Sequence, residues 1–292
     1  MTPEAKQNIL VTGVSGFVGQ RLIPKLAEHN NLFLVSRDEN FSSTDGKVLH
    51  GDLSDPSFCS EIVKNIDTVY YLAGFKKNIA FHTKNSYDFV VGNVEPIISF
   101  LKAVNVSTIK KIIYLSSTNV GLYKEGEEDG YVVGKYINEL ILNSFAKQYG
   151  MDIKIVRSAG IYGPGDNFNK ETANFIPAMI NKVYECEKEI SVWGTGKREL
   201  QFVYIDDLVS NLVTIADSTK NFFTIGNPET LTINEIVEKI ISLSGKELEI
   251  KNDATKPDKP TQLFEFDNAE PPQWNFNLGL PLTLSYYKSI KK

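Results

Sequence analysis

At 292 residues, with 42% hydrophobic and 23% charged side chains, the chain is long enough for one large domain or two intimate ones, and its composition argues against disorder. A formal net charge of −5 supplies no broad positive field, so a small molecule is the expected partner, with no nucleic acid and no membrane surface. Cys59 and Cys186, the two cysteines, lie far apart without metal-ligand spacing, which argues against a disulfide scaffold or zinc site and suits reduced thiols in a cytoplasmic protein.

The first seven residues carry no apolar signal core, and no later run approaches the ~20 apolar residues of a membrane span. A strand is predicted at residues 8–12 and runs into Thr12-Gly13-Val14-Ser15-Gly16-Phe17-Val18-Gly19, which opens a helix. Glycine at 13 permits a tight turn, Gly16 lets a pyrophosphate approach the backbone, and Gly19 lets the helix lie close on a sheet. Free N–H groups at the helix start, from Ser15 through Phe17 and Val18, then face the phosphates of a dinucleotide. Pro24 falls inside this helix and is expected to kink it at a cost of ~3 kcal/mol.

The second strand, 32–36, ends in Val35-Ser36-Arg37. An acidic residue there would serve the ribose 2′-hydroxyl of NAD, whereas Ser36 and Arg37 suit the 2′-phosphate of NADP, the guanidinium acting as a charge-matched fork. Asp38 follows at once, so NADP is preferred and NAD stays open. Strands at 47–50 and 68–72, helices from Pro56 and over 86–106, and a strand at 111–116 continue the alternation. That last strand leads into Ser116-Ser117-Thr118-Asn119, hydroxyls placed where ligands of parallel sheets lie. The helix over 131–149 opens with Tyr131-Val132-Val133-Gly134-Lys135, and the i, i+4 spacing puts phenol and ammonium on one face. A free tyrosine titrates near pH ~10; a lysine cation and a nicotinamide charge would lower that and make Tyr131 a usable acid and base.

With a strand at 152–157, the rhythm predicts an α/β fold: a doubly wound (Rossmann) parallel sheet over residues 1–162, to which 203–227 return, and a smaller C-terminal α/β substrate lobe over 163–292. His29, His50 and His82 share no constellation, and no metal site is expected.

In order after the glycine turn, Ser117, Tyr131 and Lys135 are followed by Arg157, Ile161-Tyr162-Gly163-Pro164-Gly165, the run from Trp193 to Asp207, Phe266-Asp267-Asn268-Ala269 and Leu278-Gly279-Leu280. Together they resemble the extended short-chain dehydrogenase/reductase family of NAD(P)-dependent nucleotide-sugar epimerases, dehydratases and reductases. The resemblance implies Asp52 and Leu53 at the adenine, Leu72, Ala73 and Gly74 beside the cofactor, and Asn93 near it. It also implies Ser117 as the catalytic hydroxyl with Thr118 as fallback and substrate contact, Tyr131 as acid and base, and Lys135 on the ribose. Leu200 stands where the family has an arginine for the substrate diphosphate, with Arg198 as a substitute and Gln201 nearby. Trp193 either packs on a nucleotide base or is a core residue, and Gly160 replaces a substrate asparagine. The acidic run 125–129 reads as a solvated loop.

Thr118-Asn119 lacks the acidic pair of the family's dehydratases. The implied function is therefore reduction of a nucleotide-linked 4-keto-6-deoxyhexose, the alternatives being a 4-epimerase, a non-catalytic cofactor sensor and a reductase of small carbonyls. A homodimer through the helices from Ser86 and Tyr131 is implied by the same resemblance.

Overall fold

The computed structural model describes residues 6–75, 85–124, 126, 129–170, 172–258 and 260–291. The chain divides into two compact units, Met1–Ser158 with Val209–Phe223, and Ala159–Leu208 with Thr224–Lys292.

In the first unit β1 (Asn8–Thr12), β2 (Asn31–Ser36), β3 (Lys47–His50), β4 (Thr68–Tyr71), β5 (Lys111–Ser117) and β6 (Asp152–Ser158) alternate with α1 (Phe17–Ala27), α2 (Pro56–Ile62), α3 (Ser86–Ala103) and α4 (Gly130–Tyr149). The strands lie in the order β6-β5-β4-β1-β2-β3, and every one of these pairings is parallel. Strands of such a sheet are covered on both faces and read as continuous apolar runs. The four residues of β4 are accordingly all buried, as are four of the five in β1. Leu10, Val69, Ile112, Tyr114 and Ile155 from the strands meet Ile97, Phe100 and Leu142 from the helices in one core. The order reverses between β1 and β4, and the crevice outside their carboxyl ends is where open sheets of this kind bind ligands.

Small departures from the predicted bounds have local causes. β4 stops at Tyr71 because the next two amides, Leu72 and Ala73, both donate to the Thr12 hydroxyl at 3.1 Å. α3 ends at Ala103, where Val104 turns extended and the Asn105 side chain accepts from the Ser107 amide, an Asx turn that competes with another helical turn. α1 is assigned without a break through Pro24.

The second unit holds β7 (Gly160–Tyr162), α5 (Phe175–Glu185), β8 (Glu189–Trp193), β9 (Glu199–Leu200) and β10 (Phe202–Tyr204). The chain then runs through α6 (Ile205–Ile215), β11 (Phe222–Ile225), β12 (Leu231–Thr232), α7 (Ile233–Ser244), β13 (Glu249–Asp253) and α8 (Phe276–Ile290). β11, whose first residues count with the first unit, is the seventh strand of the large sheet, beside β6. The others form three two-stranded ribbons, β7 with β10, β9 with β12 and β8 with β13. Thr232 and Glu235 cap α7 reciprocally, and Gly245 closes it in the left-handed conformation. Among the described residues no helix is long and apolar enough to cross a membrane, and no group of His, Cys, Asp and Glu could hold a metal ion.

Candidate active site

The turn after β1 is built around its glycines. Gly13 has φ +71°, and a Cβ there would lie 2.8 Å from the Ala73 amide nitrogen; no other residue takes that backbone at that distance without strain. Gly19 sits so close to the turn that a Cβ would meet the Gly13 carbonyl oxygen at 2.5 Å. The first turn of α1 therefore lies against the strand end, and its leading amides have no intrahelical acceptor. Gly16 occupies the helix N-cap without a side-chain cap, which leaves that terminus suited to an anion.

A cavity of about 340 Å³ opens over this turn, a size typical of small-molecule sites. Gly13, Ser15 and Gly16 form its floor, Ser36 and Arg37 one side, Asp52 and Leu53 another, and Leu72, Ala73, Gly74 and Asn93 the wall opposite. Phe17, Val18 and Gly19 are not in contact with it but carry the helix start beneath. Val35, Asp38, Gly51, Tyr71, Phe75, Gly92 and Pro96 also line it.

The Arg37 guanidinium and the Asp52 carboxylate face each other at 3.8 Å while 66% and 50% exposed, a separation and exposure at which an ion pair contributes little, ~0–1 kcal/mol. Arg37 is thus available to another anion. The buried Ser36 hydroxyl accepts from the Asp38 amide at 3.0 Å and shapes the loop.

Asn93 fixes the opposite wall. Its side chain accepts from the Phe75 amide at 3.1 Å and donates to the Phe75 carbonyl at 3.1 Å and the Phe89 carbonyl at 2.8 Å. Asn138 of α4 in turn donates to the Asn93 carbonyl at 3.0 Å. A methyl on Gly74 would stand 3.4 Å from Asn93 Oδ1 and 3.5 Å from Lys135 Nζ. The cavity wall therefore ends against the lysine of α4.

α4 begins on Asp129, whose carboxylate accepts from the Tyr131 amide at 2.9 Å. Part of the acidic run read as a solvated loop is thus a helix cap, while Glu125, Glu127 and Glu128, like His82, lie outside the described residues. Gly134 lets α4 lie on α3, since a Cβ there would be 3.2 Å from that of Asn93.

The Ser117 hydroxyl at the end of β5 lies beside the Tyr131 phenol. Lys135, buried, donates to the Leu115 carbonyl at 2.8 Å and lies 4.7 Å over the Tyr114 ring. Burial holds the phenol above the ordinary tyrosine value; the Ser117 hydroxyl pulls it down and the Asp129 charge pushes it up. Among the protein's own groups desolvation outweighs the rest, and the Lys135 ammonium is directed at a backbone carbonyl; the expected lowering rested on Lys135 together with the nicotinamide charge. Thr118 is buried at the start of a short 3₁₀ turn, Thr118–Leu122, and Ser117 caps that turn by accepting from the Asn119 amide.

The remaining predicted residues belong to the second unit. Trp193 is 69% exposed, which overturns the reading of a core tryptophan, and the Lys256 ammonium stands 5.7 Å from its ring. The buried Nε of Arg198 has no hydrogen-bond partner; burial lowers the affinity of its guanidinium for the proton and the Asp258 charge raises it. The Gln201 amide is tied to Phe264, accepting from its amide at 2.7 Å and donating to its carbonyl at 3.3 Å.

A single sequence gives little sign of Val35, Tyr71, Phe75 or Pro96, which look like core or helix residues. Glu139 carries a signal in hindsight, since it stands four residues after Lys135 on the face that reaches β5.

Comparison with known proteins agrees with this geometry. The sequence profile described as the NAD dependent epimerase/dehydratase family matches residues 9–226. The chain is 26% identical to a dTDP-4-dehydro-6-deoxy-D-allose reductase of a Streptomyces species, over 99% of this chain and 98% of that one. It is 24% identical to the GDP-L-fucose synthase of Escherichia coli, over 96% and 95%. Its fold is that of the UDP-glucose 4-epimerase of Thermotoga maritima solved with UDP-glucose, at a TM-score of 0.85 and 22% identity, covering 98% of this chain and all of that one.

Proposed function

The chain belongs to the NAD dependent epimerase/dehydratase family of nucleotide-sugar enzymes, and from that premise we propose that it reduces the carbonyl of a nucleotide-linked 4-keto-6-deoxyhexose at the expense of NADPH. The observation that carries the reading is the Tyr131 phenol beside the Ser117 hydroxyl at the end of β5, with Lys135 of the same helix bordering the glycine-lined cavity. The glycine turn fits a dinucleotide, because glycine at 13 and 19 lets the loop after β4 and the start of α1 close on the strand end, which sets the uncapped N-terminus of α1 beside the cavity where a phosphate can meet it. Gly13, Ser15 and Gly16 would hold the pyrophosphate, with Phe17, Val18 and Gly19 carrying the helix terminus behind it. Asp52 and Leu53 would flank the adenine, Leu72, Ala73, Gly74 and Asn93 would line the passage toward the nicotinamide, and Ser36 and Arg37 would take the 2′-phosphate. NADPH, when bound, supplies the hydride.

In this reading Ser117 hydrogen-bonds the substrate oxygen as charge builds on it, and Tyr131 gives that oxygen a proton from its phenol. Lys135 holds the ribose and favours the phenolate that remains. The raised phenol keeps its proton at neutral pH, as a donor must. Thr118, the next hydroxyl along the chain, is assigned to the sugar. In the second unit the exposed Trp193 suits a nucleotide base and Arg198 a diphosphate, with Gln201 keeping the neighbouring chain in place.

Two relatives named for a reductase and a fucose synthase match over nearly the whole chain, and neither Thr118 nor Asn119 can act as the acid of a dehydration. Epimerisation is the second reading, favoured by the likeness in fold to a 4-epimerase. We also place the protein in the cytoplasm, where its free Cys59 and Cys186 stay reduced, and as a homodimer. Tyr87 and Ile98 of α3 and Leu140 of α4 expose apolar side chains that a second copy would cover.

The test is incubation with dTDP- and GDP-linked 4-keto-6-deoxyhexoses and either NADPH or NADH. Stoichiometric oxidation of NADPH, faster than of NADH, is expected. Interconversion of UDP-hexoses without net cofactor consumption would replace the reductase with an epimerase.

A further inference from the structure

Tyr131, Lys135 and Glu139 follow one another at four-residue intervals on α4, so all three point along one face. Each reaches a successive residue at the end of β5. Lys135 donates to the Leu115 carbonyl at 2.8 Å, the Ser116 hydroxyl donates to Glu139 Oε1 at 2.5 Å, and the Ser117 hydroxyl lies beside the Tyr131 phenol. The helix is thereby laddered to the strand end that carries the candidate catalytic hydroxyl.

The Glu139 rung continues into the next strand. Arg157 of β6, paired with Ser116 across the sheet, grips the same carboxylate with Nε at 3.0 and 3.2 Å from its two oxygens and a terminal nitrogen at 2.6 Å. Its guanidinium lies 4.9 Å from the centre of the Phe222 ring. A carboxylate this buried, 5% exposed in its side chain, persists only if paired and hydrogen-bonded. A fork against a carboxylate also fixes orientation as well as distance.

We propose that Glu139 and Arg157 are positioning residues of the reaction: through Ser116 they set the register between α4 and β5 that brings the Ser117 hydroxyl onto the Tyr131 phenol. Neither touches the cavity, so their effect passes through Ser116 and the helix. The inference rests on the assignment of Tyr131 as proton donor. A displacement near 1 Å at such a site lowers turnover about 100-fold, and moving the Ser117 hydroxyl away would also make the phenol harder to ionise.

Two variants test this in the full chain. Glu139→Gln keeps the shape and leaves an acceptor for Ser116 but removes the charge facing Arg157, whereas Ser116→Ala removes one rung and no charge. Each is measured for NADPH-dependent reduction of dTDP- and GDP-linked 4-keto-6-deoxyhexoses, for NADPH affinity and for melting temperature. The pH at which Tyr131 ionises in NADP-saturated protein is read as the tyrosinate absorbance lost on adding Tyr131→Phe to each variant.

For Glu139→Gln kcat should fall on the order of 10- to 100-fold while KM and NADPH affinity stay within about threefold, and the Tyr131 ionisation should move to higher pH. Ser116→Ala should change both in the same direction by less, and it decides alone if Glu139→Gln does not fold. A lowered melting temperature with kcat and the Tyr131 ionisation unchanged would make the pair a structural staple and overturn the inference. If the parent reduces no keto sugar, the functional reading fails, and the ionisation still decides whether the ladder sets the phenol.

Discussion

Burial governs the phenols of the first unit. Tyr71 and Tyr114 stand in the core, and desolvation raises both far above the ordinary tyrosine value, with Tyr131 shifted in the same direction. In the unfolded chain these groups lose protons near pH ~10. Above that pH the unfolded state binds fewer protons than the folded one, so stability is full below it and falls as pH rises, by up to ~1.4 kcal/mol per pH unit for each such phenol. Urea unfolding from about pH 8 to about pH 11 should show a midpoint that is flat at first and then drops; a midpoint that holds steady or rises over the alkaline range would contradict the burial argument. The paired Tyr131 and Lys135 were legible as residues from their spacing. The sign of the phenol's shift was not, because it depends on how much of the ring the fold takes out of water.

The elements were readable because parallel strands and amphipathic helices differ in period, and because each joint carries its own chemistry. The glycine turn is the plainest case, three small residues whose spacing anticipates a strand end meeting a helix start. Its tightness comes from a contact no local pattern encodes, the loop after β4 pressing its Ala73 amide against Gly13. Gly13→Ala adds a Cβ at a left-handed position facing that backbone, so it should move the turn, weaken NADPH binding at least about tenfold, and lower stability by more than the ~1 kcal/mol of a simple glycine change. Fluorescence titration with NADPH and a melting curve check both; unchanged affinity would show that the turn does not hold the cofactor. The cap on α4 escaped the sequence for a related reason. Asp129 ends an acidic run that resembles solvated surface, and only the helix start immediately after it reveals its carboxylate as an acceptor for backbone amides.

At the scale of the molecule, the doubly wound sheet followed from alternation alone, and the order reversal between β1 and β4 puts the cavity where that topology puts ligands. Residues that complete a site across strands were less legible. Glu139 and Arg157 lie 18 residues apart in sequence and are joined by tertiary packing, and nothing local distinguishes Arg157 from a surface cation. The account depends on Tyr131 giving up the proton that accompanies hydride transfer to a sugar carbonyl. The direct measurement is single-turnover oxidation of NADPH by the parent and by Tyr131→Phe, each mixed with a nucleotide-linked 4-keto-6-deoxyhexose that the parent reduces. Removing a general acid lowers such a rate by ~10²–10⁴-fold, so the variant should bind NADPH like the parent and react slower by that factor. A variant that oxidises NADPH as fast as the parent would contradict the mechanism.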